Sequence, residues 1–246
     1  MDNHIFVNGD TYESIHIHLP KDYLEYFDFI DLGAKKGGLR QWASKVFNTY
    51  NGLHIEISPE HIKYMEENNI DCIQADITNL SFDSECVDFV VSTHTIEHLP
   101  NLESIKFVIE SALNVAKHFV YFTWPFFDED KYLKELGLIP FWSTWTGHTC
   151  HVTMNDIISI LREIGVLSQS KCFNRELIKD SNHSSILSID SPPDSDQFSK
   201  NKNSLSKKYS KFNRPIYYEC GVFIPKEDST KVESYFETFK KLDLLQ

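Results

Sequence analysis

The run Phe29-Ile30-Asp31-Leu32-Gly33-Ala34-Lys35-Lys36-Gly37-Gly38-Leu39 constrains this chain more than any other stretch. It passes from an apolar strand, Tyr26 to Asp31, through a glycine-rich turn into an amphipathic helix. Leu39, Trp42, Ala43, Val46 and Phe47 recur at helical spacing and define that helix's apolar face. A turn built this way lets the backbone approach a ligand where a side chain would block it. It also aims the free N–H groups of the helix start at that ligand. Glycines make ordinary turns as well, so the pattern alone leaves a ligand loop and a plain turn open.

Two acids at strand ends favour the ligand loop. Glu56 closes the run Leu53-His54-Ile55-Glu56-Ile57 and follows Gly37 by 19 positions. That is the interval at which a nucleotide-binding βαβ unit places a carboxylate on ribose hydroxyls. Asp76 ends the next strand, Asp71-Cys72-Ile73-Gln74-Ala75-Asp76. A fourth strand follows at Val87-Asp88-Phe89-Val90-Val91-Ser92. Pro59-Glu60 opens the intervening helix with residue types that a helix N-terminus prefers. Strand and helix thus alternate, which predicts a parallel sheet with helices on both faces.

In such a sheet, ligands bind outside the carboxyl ends of the strands. That puts Ser92-Thr93-His94-Thr95-Ile96-Glu97-His98-Leu99-Pro100 at the site. Three chemistries compete with a plain polar turn there. One is a Glu-His-x-Pro turn packing a cofactor. The second is a metal site on His94, Glu97 and His98. The third is an inverted zinc-peptidase motif, which needs both histidines on one helix. Pro100 and the preceding strand disfavour that helix. No metal site is assigned.

The helix over 102–117 and a fifth strand, 118–123, lead into the aromatic segment 124–151. It holds Trp124, Phe126, Phe127, Tyr132, Phe141, Trp142 and Trp145. These rings are either acceptor-binding residues or a local mini-core. Thr146-Gly147-His148-Thr149-Cys150-His151 closes the segment. Imidazole titrates near neutrality, so His148 and His151 join His94 and His98 as candidate general bases. Thr153 with Asp156 marks the start of a helix that Gly165 ends. A strand from Ser168 to Ile178 precedes a polar segment, 180–214, which reads as loop or lid. Its Lys200, Lys202, Lys207, Lys208, Lys211 and Arg214 could attract an anionic acceptor. Strand 216–224 and a helix over 228–244 complete the chain; that helix packs on the sheet or on a partner subunit of a homodimer.

With its glycine loop, Glu56, Ala75-Asp76 and the strand Val87–Ser92 in this order, the chain resembles the class I S-adenosylmethionine-dependent methyltransferases over about residues 26–178. The Glu97-His98-Leu99-Pro100 turn resembles the small-molecule type. The resemblance implies a Rossmann-like α/β fold whose seven-stranded sheet is mostly parallel with an antiparallel last strand. It implies S-adenosyl-L-methionine as cofactor, with Asp31, Gly33 and Gly37 on its methionine side. Glu56 would hold the ribose, Asp76 and Ile77 would frame the adenine, and Thr93 and His94 would lie beneath the sulfonium. The family commonly has glycine where this chain has Lys35.

The expected activity is methyl transfer to an oxygen or nitrogen of a small molecule such as a sugar, lipid precursor or secondary metabolite. A non-catalytic cofactor- or partner-binding domain is the alternative, and a metal-dependent hydrolase on His94, Glu97 and His98 a third reading. The expected layout is a lead-in over 1–25, a methyltransferase domain over 26–226, and a C-terminal helix over 227–246. The formal net charge of −12 disfavours a nucleic-acid partner. No apolar run reaches the ~20 residues of a membrane span. The five scattered cysteines suit buried free thiols in a cytoplasmic protein.

Overall fold

The computed structural model describes residues 16–195, 207–226 and 235. In chain order the elements are β1 Ile17–Leu19, α1 Lys21–Leu24, β2 Phe29–Leu32, α2 Leu39–Phe47, β3 Gly52–Glu56, α3 Pro59–Glu67, β4 Cys72–Gln74, β5 Leu80–Phe82 and β6 Val87–Thr93. Then come α4 Leu102–Val115, β7 Ala116–Pro125, α5 Asp130–Glu135, β8 Leu138–Pro140, α6 Met154–Glu163, β9 Lys171–Asp180, β10 Ile186–Ser188 and β11 Lys211–Pro225. The main sheet has seven strands in the order β4-β3-β2-β6-β7-β11-β9. β2 pairs in parallel with β3 and β6, β3 pairs in parallel with β4, and β9 pairs antiparallel with β11. The fold is the expected Rossmann-like one, with the antiparallel strand last in the chain.

The chain divides into two compact units. The first gathers the chain up to Thr93, Phe107–Tyr121 and the segment from Pro225 onward; the second gathers His94–Lys106 and Phe122–Ile224. In the first unit, β2, β3 and β6 are apolar on both faces because helices cover both sides of a parallel sheet. Phe29 stacks on Phe89 at 5.2 Å and Phe89 on Phe119 at 5.0 Å, one ring from each of three strands. Phe47 of α2 tilts onto Phe89 at 4.4 Å, and Ala43 beside it is fully buried. The 3.6-residue spacing of the apolar positions therefore lays α2 on this ring stack. The expected C-terminal helix lies outside the described residues except for Tyr235, whose ring meets Phe47 at 4.9 Å.

Gly52 sits opposite Phe29 in the β2–β3 register, and a Cβ there would come 2.1 Å from the Phe29 ring. The fully buried Phe29 cannot swing away. Gly52→Ala is expected to lower stability by about 1–3 kcal/mol, the usual cost of overpacking. Chemical denaturation read by fluorescence checks it.

In the second unit the aromatic segment is largely core. Trp124, Phe126, Phe127, Phe141 and Trp142 are buried, Tyr132 is partly buried, and Trp145 is exposed. Thr153 and Asp156 form a full capping box at the start of α6, so the helix begins where the sequence places it. Beyond its last turn the Val166 amide donates to the Leu161 carbonyl and the Gly165 amide to that of Arg162, with Gly165 at φ +81°. That is the Schellman closure.

Within the polar segment 180–214, the described residues 180–195 and 207–214 hold more structure than their composition suggests. β10 pairs antiparallel with β8, and Ser181, Ser185 and Ile186 are buried. One buried isoleucine and two satisfied serines suffice to anchor the excursion despite its polar surroundings. The Lys207 ammonium donates to the carbonyls of His183 (2.9 Å) and Ile186, and Arg214 pairs with Glu129 at 2.9 Å. Lys208 and Lys211 are exposed, while Lys200 and Lys202 lie outside the described residues. All five cysteines are free, but only Cys86 and Cys220 are buried; Cys72 and Cys150 are half-buried, and Cys172, on the edge strand β9, is exposed.

Candidate active site

The carboxyl ends of the first unit's strands carry the candidate cofactor residues. Asp31, near the end of β2, is 2% exposed, and its Oδ2 accepts a 3.0 Å hydrogen bond from Nδ1 of the fully buried His54. The two residues are direct partners in the β2–β3 register. Burial pushes the Asp31 carboxyl above its ordinary pKa, and the His54 bond works against that rise.

Gly33 and Gly37 hold φ of +76° and +71°, which glycine adopts without strain, so the loop backbone stays bare where it turns. Lys35 sits between them at φ +52° with an exposed side chain. Its amide donates to Glu56 Oε2 at 2.7 Å, while the amides of Ile57 and Ser58 donate to Oε1 at 2.9 Å each. Three backbone donors thus fix the Glu56 carboxylate. An ionised carboxylate offers about four acceptor sites, so capacity for a hydroxyl remains. The amides of Arg40 and Gln41 turn back onto the carbonyls of Gly37 and Gly38. They are spent inside the turn, so fewer donors face outward than the glycine pattern suggests.

Asp76 caps the short turn Ile77–Asn79. Its Oδ1 takes both the Thr78 amide (2.8 Å) and the Thr78 hydroxyl (2.7 Å). That leaves Oδ2 as the acceptor for a further donor. Ile77 is buried beside it. Thr93 ends β6.

The left-handed backbone at Lys35 explains why glycine suits this position. A non-glycine residue there carries a strain on the order of 1–2 kcal/mol, and glycine gives back about 0.5–1 kcal/mol in chain entropy. Lys35→Gly is therefore expected to leave stability level or slightly raised, and Lys35→Val to lower it by about 1–2 kcal/mol. Melting temperatures of the two variants check the order.

The histidines of the second unit assemble differently from any single sequence reading. Residues 96–98 form one short 3-10 turn, so His94 and His98 do not share a helix. His94 lies at φ +51° immediately after β6. Its Nε2 meets Glu219 Oε1 on β11 at 2.8 Å, and its Nδ1 faces Glu97 Oε1 at 3.7 Å. Burial alone would lower its pKa. The carboxylates of Glu219 and Glu97 outweigh burial and raise it to about 10. His94 is therefore a cation at neutral pH and a poor base.

Glu219 also takes Arg175 at 2.8 Å, and its pKa falls although burial pushes the other way. Sequence reading passed over Glu219. It lies 125 positions from His94 on a strand legible only as a strand, and no local pattern links the two.

His98 and His148 gather at Glu97. The turn at 96–99 and the loop at 147–150 are joined by backbone. The Cys150 amide donates to the Glu97 carbonyl at 3.0 Å, and the Thr149 hydroxyl to those of His98 and Leu99. The Nδ1 of His98 bonds the Gly147 carbonyl at 2.8 Å, and that of His148 bonds the Trp142 carbonyl at 2.7 Å. The two rings meet edge to face at 4.7 Å. Burial lowers the His148 pKa, against the pull of Glu97. His151 stands apart from this group. It stacks on Phe127 at 4.4 Å and pairs with Asp130 at 3.3 Å, beside an open depression of about 660 Å³.

Residues 30–118 match the family model described as a methyltransferase domain. A search of curated proteins found no match. Among solved structures, a SAM-dependent methyltransferase from Archaeoglobus fulgidus is 17% identical with a TM-score of 0.56, over 84% of this chain and 90% of that one. Magnesium protoporphyrin IX methyltransferase from Synechocystis, with bound S-adenosylhomocysteine, is 13% identical with a TM-score of 0.49, over 84% and 77%. Identities this low speak to the fold alone.

The residues present at these strand ends would fit S-adenosylmethionine. The partly exposed backbone at Gly33 is compatible with close approach, whereas Gly37 is buried against Ile70 and Met65. The fixed Glu56 carboxylate retains acceptor capacity for ribose hydroxyls. Asp76 Oδ2 and buried Ile77 offer an acceptor and an apolar surface next to it. Among the described residues, no helix is long and apolar enough to cross a membrane.

Proposed function

We propose that the protein transfers the methyl group of S-adenosylmethionine to an oxygen or nitrogen of a small-molecule acceptor. The match of residues 30–118 to the methyltransferase domain is the observation that carries the donor half of this reading. The donor supplies a sulfonium methyl: as the acceptor lone pair bonds to the methyl carbon, the S–CH₃ electrons pass to sulfur and S-adenosylhomocysteine leaves. Direct displacement of this kind demands in-line positioning above all. Glu56 fixes the ribose, Asp76 and Ile77 fix the adenine, and the loop over Asp31, Gly33 and Gly37 holds the methionine end. Thr93, at the end of β6, lies beneath the sulfonium.

The acceptor loses one proton, and a hydroxyl acceptor needs help to release it. The Nε2 atoms of His98 and His148 can serve, because their Nδ1 atoms are bound to carbonyls and so carry the ring protons. His94 is paired with Glu219 and contributes charge rather than a lone pair. A small acceptor suits an acidic chain in which Lys207 and Arg214 are already engaged internally. The test is formation of S-adenosylhomocysteine, read by mass spectrometry, with a panel of small hydroxy and amino compounds. At least one should raise the rate above the acceptor-free background. Protein that binds the donor yet shows no acceleration with any of them would contradict a small-molecule acceptor.

A further inference from the structure

We infer that Glu97, His98 and His148 form a binding site for one divalent transition-metal ion, of the zinc type. Glu97 is fully buried, and neither of its carboxylate oxygens has a hydrogen-bond partner. A buried carboxylate without hydrogen bonds is costly, and the His94 ring nitrogen, 3.7 Å from Oε1, offsets only part of that cost. One ligand atom from each of Glu97, His98 and His148 lies within 4.8 Å of the other two, and His148 Nε2 is 4.0 Å from Glu97 Oε1. Ligands bonded at about 2.0–2.2 Å to a tetrahedral ion stand roughly 3.3–3.5 Å apart, so an inward shift of about an ångström completes the site.

The tautomers are already set for ligation. A carbonyl oxygen only accepts, so the Gly147 and Trp142 carbonyls hold the proton on Nδ1 of His98 and of His148. Each Nε2 is then a neutral lone-pair donor. Anchoring the far ring nitrogen on a backbone acceptor is how proteins orient imidazole ligands. Two imidazole nitrogens and one carboxylate suit zinc and the neighbouring first-row ions better than magnesium or calcium, which prefer oxygen. Three protein ligands leave a coordination position open, as in sites that take a substrate. His94 Nδ1, at 3.7 Å from Glu97 Oε1, stands outside the set because its ring is committed to Glu219 through Nε2.

The ion's role in the reaction rests on the methyl-transfer reading, and with the ion bound the Nε2 lone pairs of His98 and His148 are ligands, so that the ion takes over their part as bases. An acceptor hydroxyl on the open position would release its proton near neutral pH, as metal-bound water does. Ion binding itself does not depend on that reading.

The experiment uses the full chain freed of metal by chelation and titrated with Zn²⁺ alone by calorimetry, then with Co²⁺ followed by visible absorption. One equivalent of Zn²⁺ is expected, with an intense low-coordinate Co²⁺ spectrum. His98→Ala, His148→Ala and Glu97→Gln should each weaken Zn²⁺ binding at least 100-fold, and His151→Ala should leave it unchanged. Circular dichroism confirms folding, and His98→Gln and His148→Gln replace any alanine variant that fails to fold. No saturable binding by folded wild-type protein, or binding that survives loss of His98 and of His148, would overturn the site. Titration with S-adenosylmethionine in the same preparation separates the two proposals, since failure of donor binding leaves the Zn²⁺ result standing.

Discussion

His54→Leu is expected to lower the stability of the fold by about 2–3 kcal/mol, the cost of leaving a buried polar group without its hydrogen-bond partner. The Asp31 carboxyl lies between central strands and receives its hydrogen bond from His54 Nδ1 alone among the bonds described. Leucine fills the imidazole volume but donates nothing. The effect has a signed pH dependence. Burial raises the folded-state pKa of Asp31 above its unfolded value. The stability such a group contributes is complete below the unfolded pKa and is lost as pH rises through the folded one. Losing the His54 bond raises the folded pKa further. The deficit of His54→Leu against wild type is therefore smallest in acid and grows toward neutral pH. The double variant Asp31→Asn, His54→Leu recovers part of the loss, because it removes the stranded carboxylate. Urea denaturation of the three proteins across pH 4–8 measures all of this.

Trp142→Ala is expected to cost about 3–5 kcal/mol, by emptying the centre of the second unit. The ring is 2% exposed, donates from Nε1 to the Phe126 carbonyl at 2.9 Å, and packs edge to face on Phe141 at 5.2 Å and Tyr218 at 5.1 Å. Alanine loses the buried area and strands the Phe126 carbonyl. The same residue's own carbonyl holds His148 Nδ1, so relaxation around the cavity reaches the histidine cluster. Trp142→Phe keeps most of the volume and lacks the donor, so it should fall between wild type and alanine. Equilibrium denaturation supplies the order.

The sheet was readable from sequence because its evidence is local. Apolar runs ending at Asp31, Glu56 and Asp76 mark strands whose carboxyl ends face one edge, and helical spacing between them fixes the crossovers. The box at Thr153 and the stop at Gly165 are short-range chemistry too. The strands β5, β8 and β10 escaped, since three residues of tertiary pairing leave no periodicity to detect. Within 180–195, read as loop, β10 also escaped because polar composition hides a few buried contacts.

The site residues divide the same way. Of the candidates, Glu56 is marked by its spacing from Gly37, whereas Asp31 and Asp76 enter as site residues through the family resemblance. What their side chains do is less legible, because the Lys35 amide on Glu56 and the His54 bond to Asp31 arise from loop closure and strand register. Glu97 and His98 were visible as a pair, but their companion His148 arrives from 50 positions away. Glu219 arrives from still farther. A single sequence carries no signal for such meetings.

Calorimetric titration with S-adenosylmethionine and S-adenosylhomocysteine, on wild type and on Glu56→Ala, tests the account most directly. It predicts saturable binding of both ligands by wild type, weakened in Glu56→Ala by about 1–3 kcal/mol, the scale for removing one partner of a buried hydrogen-bond set. Absence of heat with either ligand, in folded protein free of carried-over cofactor, would contradict the proposal that this protein is an S-adenosylmethionine-dependent methyltransferase.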